Sequence, residues 1–440
     1  MRPPVTVGID IGTSSVKAIA ADDDGNVVAH ARVAHDFRVP APDRFEHDAA
    51  VAWHAGPRAA LTALGDLDIK GVSVAAMVPS LTAVDAAGVP VSPGLLYGDA
   101  RGRTTSTGNP VESGELLAFL RWTLREAPDA HGYWPAQTVA NNALAGEPVL
   151  DTSTATTATP LFDWTDWDPQ LAADIGVRVD QLPRLVPTGF ECGRVGGPGG
   201  PALGSGCIDA LAEQLVAGAD DDGDVLVILG TTLIVWAVSE RSDEVPGLFT
   251  IPHTAAGKYL VGGPSNAGGL FCNWAANLFA DAPGPAEPHS VPVWAPYPRG
   301  ERVPFHDPDR RASLADLNLL HDAAALRRSV FEASGFVARR MIDAANVAPR
   351  RIVATGGGTR VDEWVQALAD CTGLPVDCVA VPEGGALGSA WLARIAAGLE
   401  EPLAMTDGRR WARVGRRVEP DSAWAEPVAE RYERFLQVAK

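Results

Sequence analysis

The first part of the chain alternates short apolar runs with short polar turns. An apolar run at Val5–Ile11 is followed by a Gly-Thr-Ser-Ser turn and by a second apolar run at Val16–Ala21. A third run begins at Val27, after a turn rich in Asp and Gly. β-Branched residues favour strands, whereas Gly, Asn and Asp adopt the backbone conformations of tight turns. The pattern predicts a meander of three strands at the start of the chain.

The same pattern returns in the second half of the chain. The apolar run Val225–Leu229 leads through a Gly-Thr-Thr turn into another apolar run, Leu233–Val238. Two such hairpins, separated by roughly half the chain, are typical of a duplicated domain. A similarity this short also arises by chance, so both explanations stay open at this point.

Helix and strand patterns alternate in the rest of the chain. Apolar residues recur at helical spacing over residues 321–345 and 362–372, with a strand pattern at 351–355 between them. A strand is also predicted at 71–74, and small residues predict a helix over 385–397. The alternation predicts an α/β fold.

Length and composition predict two lobes. A chain of 440 residues is too long for one ordinary hydrophobic core. Its 46% hydrophobic and 21% charged residues are typical of a globular protein. A Gly- and Pro-rich stretch at 193–206 and an acidic turn at 220–224 mark the change of lobe. We therefore expect an N-terminal lobe over residues 1–223 and a C-terminal lobe over residues 224–440.

Charge and cysteine content narrow the choice of partner and compartment. The net charge of −19 repels phosphate backbones and anionic lipids, which argues against a nucleic-acid or membrane partner. The opening residues lack the apolar segment of a signal peptide, and no run is apolar enough to span a bilayer, so we expect a cytoplasmic protein. The five cysteines are scattered and include no C-x-x-C pair, which favours reduced thiols over disulfides or zinc ligands.

A carboxylate lies close to the first predicted turn. Asp10 is near the end of an apolar strand, and the N–H and hydroxyl groups of the turn can hold phosphate oxygens. This pairing suits a magnesium nucleotide, with Asp10 as the metal ligand and Lys17 facing the terminal phosphate. The phosphates would be bound by Gly12, Thr13 and Ser14. The alternative is an ordinary hairpin with an acidic residue near its turn.

Two further motifs extend this nucleotide hypothesis. A second phosphate-facing turn is predicted at Gly230, Thr231 and Thr232. A glycine triplet lies between a predicted strand and a predicted helix, at Gly356, Gly357 and Gly358. Consecutive glycines let the backbone approach adenine and ribose closely. The alternative for the triplet is a flexible loop without a ligand.

Seven segments, spread in order over nearly the whole chain, carry a family resemblance. They are GIDIGTSSVKAIA, EHDAAVAW, GSGCIDALAEQLVAGA, ILGTTLIVWAVS, PYPRGERVPFHDPDRRA, ATGGGTRVDEWVQALADCTGLPV and GGALGSA. Each is weak alone, but as an ordered set they resemble the FGGY carbohydrate kinase family. The resemblance implies an actin-like ATPase fold, in which two ribonuclease-H-like lobes flank a nucleotide and sugar cleft. It also implies that the first lobe mainly binds sugar, that the second mainly binds ATP, and that Mg²⁺ accompanies the nucleotide.

The family's G-x-x-D signature matches Gly206 to Asp209. The resemblance implies that Asp209 is the catalytic base. Phosphoryl transfer needs a carboxylate aimed at the acceptor hydroxyl, which agrees with that role. The alternative is that Asp209 caps the helix predicted after it.

The predicted sugar pocket departs from its relatives. Xylulokinases carry Gln-Met-His-Gly where this chain has Ala76, Met77, Val78 and Pro79, so Val78 replaces a histidine that binds sugar. The family's W-N-D-x-R motif is represented by Tyr97 to Arg101, in which Asp99 is retained. We expect Met77, Val78, Tyr97, Asp99 and Asp209 to contact the substrate, although Tyr97 alternatively fits a core aromatic. Xylulokinases also follow the catalytic aspartate with asparagine, whereas Asp209 is followed by Ala210. Because these two polar contacts are missing, the resemblance leaves xylulose in doubt as the substrate.

The expected reaction is in-line transfer of the γ-phosphoryl group of ATP to a hydroxyl of a small carbohydrate. A pentulose such as xylulose is the first acceptor to consider, and a polyol, a sugar acid or a deoxysugar stays open. A rival from another class is an actin-like nucleotide-binding regulator without kinase activity. The expected partner is a small-molecule sugar, and assembly as a homodimer also stays open.

Overall fold

The computed structural model describes residues 4–41, 44–99, 101, 115–254, 257–279, 284–401 and 404–440. Ala100, part of the predicted sugar-binding segment, lies outside the described residues. Contacts within the chain define two compact units. The first comprises Met1–Val216 with Glu383–Trp411, and the second comprises Ala217–Pro382 with Ala412–Lys440.

Strands dominate the first stretch of the first unit. They are β1 (Pro4–Ile11), β2 (Ser15–Ala21), β3 (Val27–Ala34), β4 (Arg38–Ala41), β5 (Arg44–His47), β6 (Asp68–Ala76), β7 (Ser80–Val84), β8 (Gly94–Leu96), β9 (Gly132–Trp134), β10 (Val149–Asp151), β11 (Arg184–Val186), β12 (Glu191–Arg194), β13 (Ala202–Gly204) and β14 (Cys207–Ile208). The helices in this stretch are α1 (Gly56–Ala63), α2 (Glu115–Glu126), α3 (Ala136–Ala145), α4 (Thr152–Ala155), α5 (Pro169–Ile175) and α6 (Asp209–Ala217).

The main sheet of the first unit has the order β12-β13-β6-β1-β2-β3. Strands β1, β2 and β3 form the predicted antiparallel meander, and β6 lies parallel to β1. Strands β13 and β14 both lie parallel to β6. A second sheet in the same unit has the order β4-β5-β8-β7-β9. Its strand β5 carries residues that matter for the site described below.

The rest of the chain contains the second unit and the segment Glu383–Trp411 of the first. The strands are β15 (Asp224–Leu229), β16 (Leu233–Ser239), β17 (Phe249–Pro252), β18 (Tyr259–Ser265), β19 (Val293–Ala295), β20 (Ser313–Ala315), β21 (Arg351–Thr355), β22 (Val376–Val379) and β23 (Val414–Val418). The helices are α7 (Gly269–Ala276), α8 (Ala323–Ala344), α9 (Asp362–Thr372), α10 (Gly384–Ala396) and α11 (Ala425–Val438).

The main sheet of the second unit repeats the topology of the first. Its order is β17-β18-β16-β15-β21-β22-β23. Strand β16 lies antiparallel to both β15 and β18. On the other side of β15, β21 lies parallel to β15, and β22 lies parallel to β21. In both units, three antiparallel strands are therefore followed by two parallel ones on the far side of the first strand. This shared order supports duplication as the origin of the repeated hairpin pattern.

Helix α10 packs within the first unit although it follows most of the second unit in the chain. It lies against β1 so closely that a Cβ atom on Gly8 would be 1.8 Å from the backbone oxygen of Ala386. A side chain at position 8 is therefore excluded, and the small residues of α10 allow this approach. Residues 383–411 thus pack with the first compact unit. The division into lobes over residues 1–223 and 224–440 stays a prediction.

The described elements agree closely with the sequence patterns. The strand Arg351–Thr355 and the helix Asp362–Thr372 occur with the predicted bounds. All five cysteines are free and buried. Among the described residues, no helix is both long enough and apolar enough to cross a membrane.

Candidate active site

Three parallel strands of the first unit end side by side and bring the predicted site residues together. In the register of the sheet, Asp10 on β1 and Cys207 on β14 both lie level with Ala75 on β6. Asp209 therefore follows β14 at the sheet edge where β1 and β6 also end. Ligands of open α/β sheets bind at the carboxyl ends of parallel strands, so this edge is the expected place for a site.

Asp10 is a nearly buried carboxylate with a cation beside it. Only 6% of Asp10 is exposed, and its Oδ2 atom lies 3.1 Å from Nζ of Lys17. The charge of Asp10 raises the pKa of Lys17, and Glu213 and Glu383 act in the same direction. Lys17 therefore stays protonated at neutral pH.

The amino end of α10 approaches the same carboxylate. A Cβ atom on Gly385 would lie 3.1 Å from Cγ of Asp10, tighter than ordinary van der Waals contact. The N–H groups in the first turn of a helix favour negative charge nearby. Residues 384–396 thus contribute to the first unit's site, although chain order alone places them far from Asp10.

The turn between β1 and β2 is held by several hydrogen bonds. The N–H of Gly12 donates to the oxygen of Ser15 at 3.1 Å, which closes the turn. The hydroxyl of Thr13 is 2.8 Å from the hydroxyl of Tyr97, so the phosphate-binding candidate and the sugar-binding candidate are directly linked. Tyr97 is half-buried and Ser14 is exposed. Thr13 of the predicted phosphate turn and Tyr97 of the predicted sugar pocket therefore lie together.

A buried histidine, for which the sequence patterns predict no role, also holds this turn. His47 on β5 lies with Nε2 2.7 Å from the backbone oxygen of Thr13. The indole Nε1 of Trp53 donates to Nδ1 of His47 at 2.9 Å. The only signal in the sequence is the EHDAAVAW segment, which carries the family resemblance without indicating what its histidine contacts.

Both carboxylate oxygens of Asp99 accept hydrogen bonds from other residues of the chain. Its Oδ1 atom accepts from the backbone N and the Nε of Arg101, at 2.7 and 2.8 Å. Its Oδ2 atom accepts from Nη2 of Arg101 at 2.7 Å and from the backbone N of Phe45 at 2.6 Å. Arg101 also reaches Glu46 at 2.9 Å. The sequence predicts that Asp99 binds sugar hydroxyls, whereas this fully buried carboxylate already accepts two hydrogen bonds on each oxygen and holds Arg101 in place.

The remaining sugar-binding candidates differ in exposure. Met77 is 2% exposed and belongs to the hydrophobic core of the first unit, whereas Val78 is half-buried. Asp209 is half-buried and opens α6, and its Oδ1 atom accepts from the N–H of Ala210 at 2.7 Å. Of these residues, Val78 and Asp209 have surface that a ligand can reach.

A buried thiol lies among the carboxylates behind this edge. Burial raises the pKa of the Cys207 thiol well above its usual range, and the charges of Asp151 and Asp209 raise it further. Asp10 acts in the same direction. Cys207 therefore stays protonated and acts as a small apolar residue behind the site.

The turn at residues 230–232 in the second unit is tied to a helix start. The N–H of Gly269 donates to the oxygen of Gly230 at 2.9 Å, and the N–H of Leu270 donates to the oxygen of Thr231 at 3.0 Å. Thr232 closes the turn by accepting from the N–H of Gly230 at 3.1 Å. The turn is thus a fixed structure at the carboxyl end of β15.

The glycine triplet lies beside that turn. Strands β15 and β21 are parallel, with Ile228 level with Thr355, so both motifs follow adjacent strand ends. Gly356 has a φ of 89°, which favours glycine, and a Cβ atom there would lie 2.8 Å from the oxygen of Leu229. Gly358 packs against Trp364, whereas a Cβ atom on Gly357 would meet nothing within 4 Å. The backbone at Gly357 is therefore open on the side where a Cβ atom would lie.

A buried carboxylate in the second unit, that of Glu301, accepts hydrogen bonds from residues at the end of β18. It accepts from the hydroxyl of Ser265 at 2.7 Å and from the backbone N of Asn266 at 2.8 Å. Burial raises the pKa of Glu301. Glu301 therefore fastens the loop around residues 299–307 to the end of β18.

The donor set fits magnesium held together with nucleotide phosphates. Within the described ranges, no group of three or more His, Cys, Asp or Glu side chains could hold a metal ion. Mg²⁺ is usually bound by one or two carboxylates plus phosphate oxygens and water, and Asp10 beside the Gly12–Ser15 turn supplies such a carboxylate.

Comparison with known proteins identifies the family. The model of the FGGY carbohydrate kinase N-terminal domain matches residues 5–204, and the C-terminal domain model matches residues 225–397. The chain is 28% identical to the xylulose kinase of Escherichia coli K12, over 90% of this chain and 91% of that protein. It is 25% identical to the gluconokinase of Bacillus subtilis, over 83% of this chain and 82% of that protein.

Solved structures give the same answer for the fold. The crystal structure of xylulose kinase from Rhodospirillum rubrum matches with a TM-score of 0.76 and 27% identity, covering 99% of this chain and 98% of that one. The gluconate kinase of Lactobacillus acidophilus matches with a TM-score of 0.80 at 20% identity, covering 99% of this chain and 97% of that one. The predicted actin-like ATPase fold is confirmed. The chain belongs to the FGGY family of carbohydrate kinases, and it is an ATP-dependent sugar kinase.

Proposed function

We propose that this enzyme phosphorylates a hydroxyl of a small carbohydrate, with Asp209 as the base that accepts the hydroxyl proton. A pentulose such as xylulose is the first acceptor, because relatives named xylulose kinase match over 90% of the chain. The observation that carries the proposal is the placement of Asp10 near the end of β1 and of Asp209 directly after β14, two strands that both lie parallel to β6 and end level with it. One carboxylate can thus serve the nucleotide while the other serves the acceptor.

Asp209 has the surroundings that a base requires. It is half-buried, so a hydroxyl can reach it while part of its hydration is removed. Its Oδ1 atom accepts the N–H of Ala210, which orients the carboxylate. An ionised carboxylate within hydrogen-bonding distance accepts the proton as the hydroxyl oxygen attacks the γ-phosphorus.

The residues around Asp10 are proposed to bind the phosphates. Gly12, Thr13 and Ser14 supply N–H and hydroxyl donors, and Lys17 supplies a positive charge. Asp10 would hold Mg²⁺, which neutralises developing charge on the phosphates when it is bound. Lys17 is one-third exposed, so it can turn from Asp10 towards a phosphate at low cost.

The second unit is proposed to bind ATP through two motifs. Its turn at Gly230, Thr231 and Thr232 would face the phosphates, and the triplet at Gly356, Gly357 and Gly358 would line the adenine and ribose. The two motifs follow the adjacent strands β15 and β21, which supports their binding of neighbouring parts of one nucleotide. The free space over Gly357 supports a flat ligand there.

The identity of the acceptor depends on a pocket less polar than that of xylulokinases. Val78 stands where they carry a histidine, and Ala210 stands where they carry an asparagine. A site that lacks these donors leaves the corresponding sugar hydroxyls unpaired, which favours an acceptor with fewer hydroxyls at those positions. We therefore propose that deoxysugars and short polyols compete with xylulose as substrates.

ADP release with Mg-ATP tests the proposal against a panel of pentuloses, hexuloses, polyols, deoxysugars and sugar acids. Asp209→Asn should lower acceptor-dependent ADP release by roughly 10²–10⁴-fold, the usual contribution of a general base. Asparagine caps helices as well as aspartate does, so the variant should keep its stability. Asp168→Asn is the matched control, because Asp168 caps α5 through the N–H groups of Gln170 and Leu171.

Two results would contradict the proposal. Equal activity in Asp209→Asn and Asp168→Asn would show that Asp209 only caps α6. ATP binding without stimulation by any acceptor in the panel would instead favour the regulatory alternative.

A further inference from the structure

A buried polar network outside the proposed catalytic groups joins His47, Trp53 and the first turn. Trp53 donates from Nε1 to Nδ1 of His47, at 2.9 Å, so Nδ1 is the acceptor of a neutral imidazole. The ring hydrogen is therefore on Nε2, which donates to the backbone oxygen of Thr13 at 2.7 Å. The order of donors fixes both the tautomer and the direction of the bond.

The ring of His47 is held on several sides. His47 and Trp53 are both fully buried. Strand β5 pairs His47 with Gly94 on β8, and a Cβ atom on Gly94 would lie 2.4 Å from the Trp53 ring. The ring of His35 meets that of His47 edge-on, with centroids 4.4 Å apart. An imidazole confined in this way keeps its hydrogen bond in one geometry.

The bond to Thr13 has a consequence for the next peptide N–H. In a trans peptide, the carbonyl of one residue and the N–H of the next point in opposite directions. Because the oxygen of Thr13 points to the buried His47, the N–H of Ser14 points away from it. Ser14 is exposed, so its N–H is directed towards the open side of the turn.

We propose that His47 is a positioning residue that orients the Thr13–Ser14 peptide so that its N–H faces the terminal phosphate of ATP. The inference rests on the proposed function, because it takes the Gly12–Ser15 turn as a phosphate site. Burial, with a contribution from His35, lowers the pKa of His47 to about 4, so the ring stays neutral throughout the usual range of kinase assays.

Three variants separate positioning from general stability. His47→Phe keeps an aromatic ring but removes both ring nitrogens. His47→Gln keeps an N–H donor at about the position of Nε2. Tyr133→Phe is the matched control, because the buried Tyr133 also donates to a backbone oxygen, that of Ala127, at 2.7 Å. Each variant is assayed by steady-state kinetics with Mg-ATP and the best acceptor of the panel, and by thermal unfolding.

The inference predicts a specific kinetic signature. In His47→Phe, kcat should fall about 10- to 100-fold, since a misdirected N–H loses much of what one oriented donor contributes to a transition state. The KM for the acceptor should stay within about twofold, and His47→Gln should restore most of kcat. Tyr133→Phe should lose stability without losing kcat.

The outcomes distinguish this inference from the proposed function. If His47→Phe loses stability but keeps kcat, as expected for Tyr133→Phe, the positioning role is refuted while the kinase reaction stands. If His47→Phe does not fold, His47→Gln decides: its kcat should lie within about fivefold of wild type, and a loss as large as that of an Asp209 variant overturns the role. If no acceptor stimulates the wild-type enzyme, the proposed function fails and the inference fails with it.

Discussion

Acidification should weaken the first unit because His47 is buried in its neutral form. Burial, with a contribution from His35, lowers the pKa of His47 from 6.5 to about 4. Between these values the unfolded chain binds a proton that the folded chain does not bind, so the free energy of unfolding falls as the pH falls. The stabilisation is fully present above about pH 6.5 and is lost once the pH drops below about 4.

The magnitude follows from the size of the shift. One pKa unit corresponds to about 1.4 kcal/mol, so the whole shift is worth about 3 kcal/mol. Between pH 7 and pH 5, the expected loss is about 2 kcal/mol. Because the His47 side chain is fully buried, solvent does not screen this effect.

Urea unfolding at pH 7 and pH 5, followed by tryptophan fluorescence, measures the loss. His47→Gln does not titrate, so the wild-type protein should lose about 2 kcal/mol more than the variant between the two pH values. His35 and His54 also have lowered pKa values, but they are present in both proteins. A difference between wild type and variant that is the same at both pH values would refute the reasoning. Tyr133→Phe keeps His47, so between the two pH values it should lose as much free energy of unfolding as the wild type does.

Three further predictions concern packing and the site. Gly8→Ala should destabilise the protein by more than about 3 kcal/mol in thermal or urea unfolding, because its Cβ would lie 1.8 Å from the oxygen of Ala386. Gly357→Ala, which meets nothing within 4 Å, should change stability by less than about 0.5 kcal/mol, and equal losses would contradict the packing account. Arg101→Lys should lower stability by about 1–3 kcal/mol and raise the KM for the acceptor more than that for ATP, since lysine cannot bridge two carboxylates in one plane. Tyr97→Phe should lower kcat a few-fold in steady-state assays by removing the hydrogen bond to the turn, and an unchanged kcat would show that the ring alone matters.

The fold was largely predictable from the sequence because the local signals are strong. Apolar runs bounded by glycine define β1, β2, β15 and β16 almost to the residue. The position of α10 was not predictable in the same way. Its sequence shows a small-residue helix, but its contact with β1 depends on two close surfaces that meet only after the chain has folded. The order of residues in the sequence therefore does not predict the contact between α10 and β1.

The candidate site, like the fold, was predictable from the sequence only in part. Motifs indicate which residues lie at strand ends, and the structure brings Asp10, Lys17 and Asp209 to one edge of the sheet. Motifs do not indicate how many hydrogen bonds a carboxylate already accepts. Asp99 resembles a sugar ligand in the sequence, yet it is saturated by Arg101 and by a backbone N–H. Only the folded geometry shows that its acceptor capacity is used.

The two faces of β5 contact different parts of this site. Neighbouring residues on a strand point to opposite faces, so Glu46 and His47 engage different partners. Glu46 binds Arg101, which holds the segment that contains Tyr97, while His47 binds the oxygen of Thr13. A direct hydrogen bond between the hydroxyls of Thr13 and Tyr97 also connects the phosphate turn to that segment. Loss of the Glu46 side chain should therefore disturb the segment of the acceptor site, and loss of the His47 side chain should disturb the phosphate turn, whereas a change at Tyr97 alone leaves the bond to His47 intact.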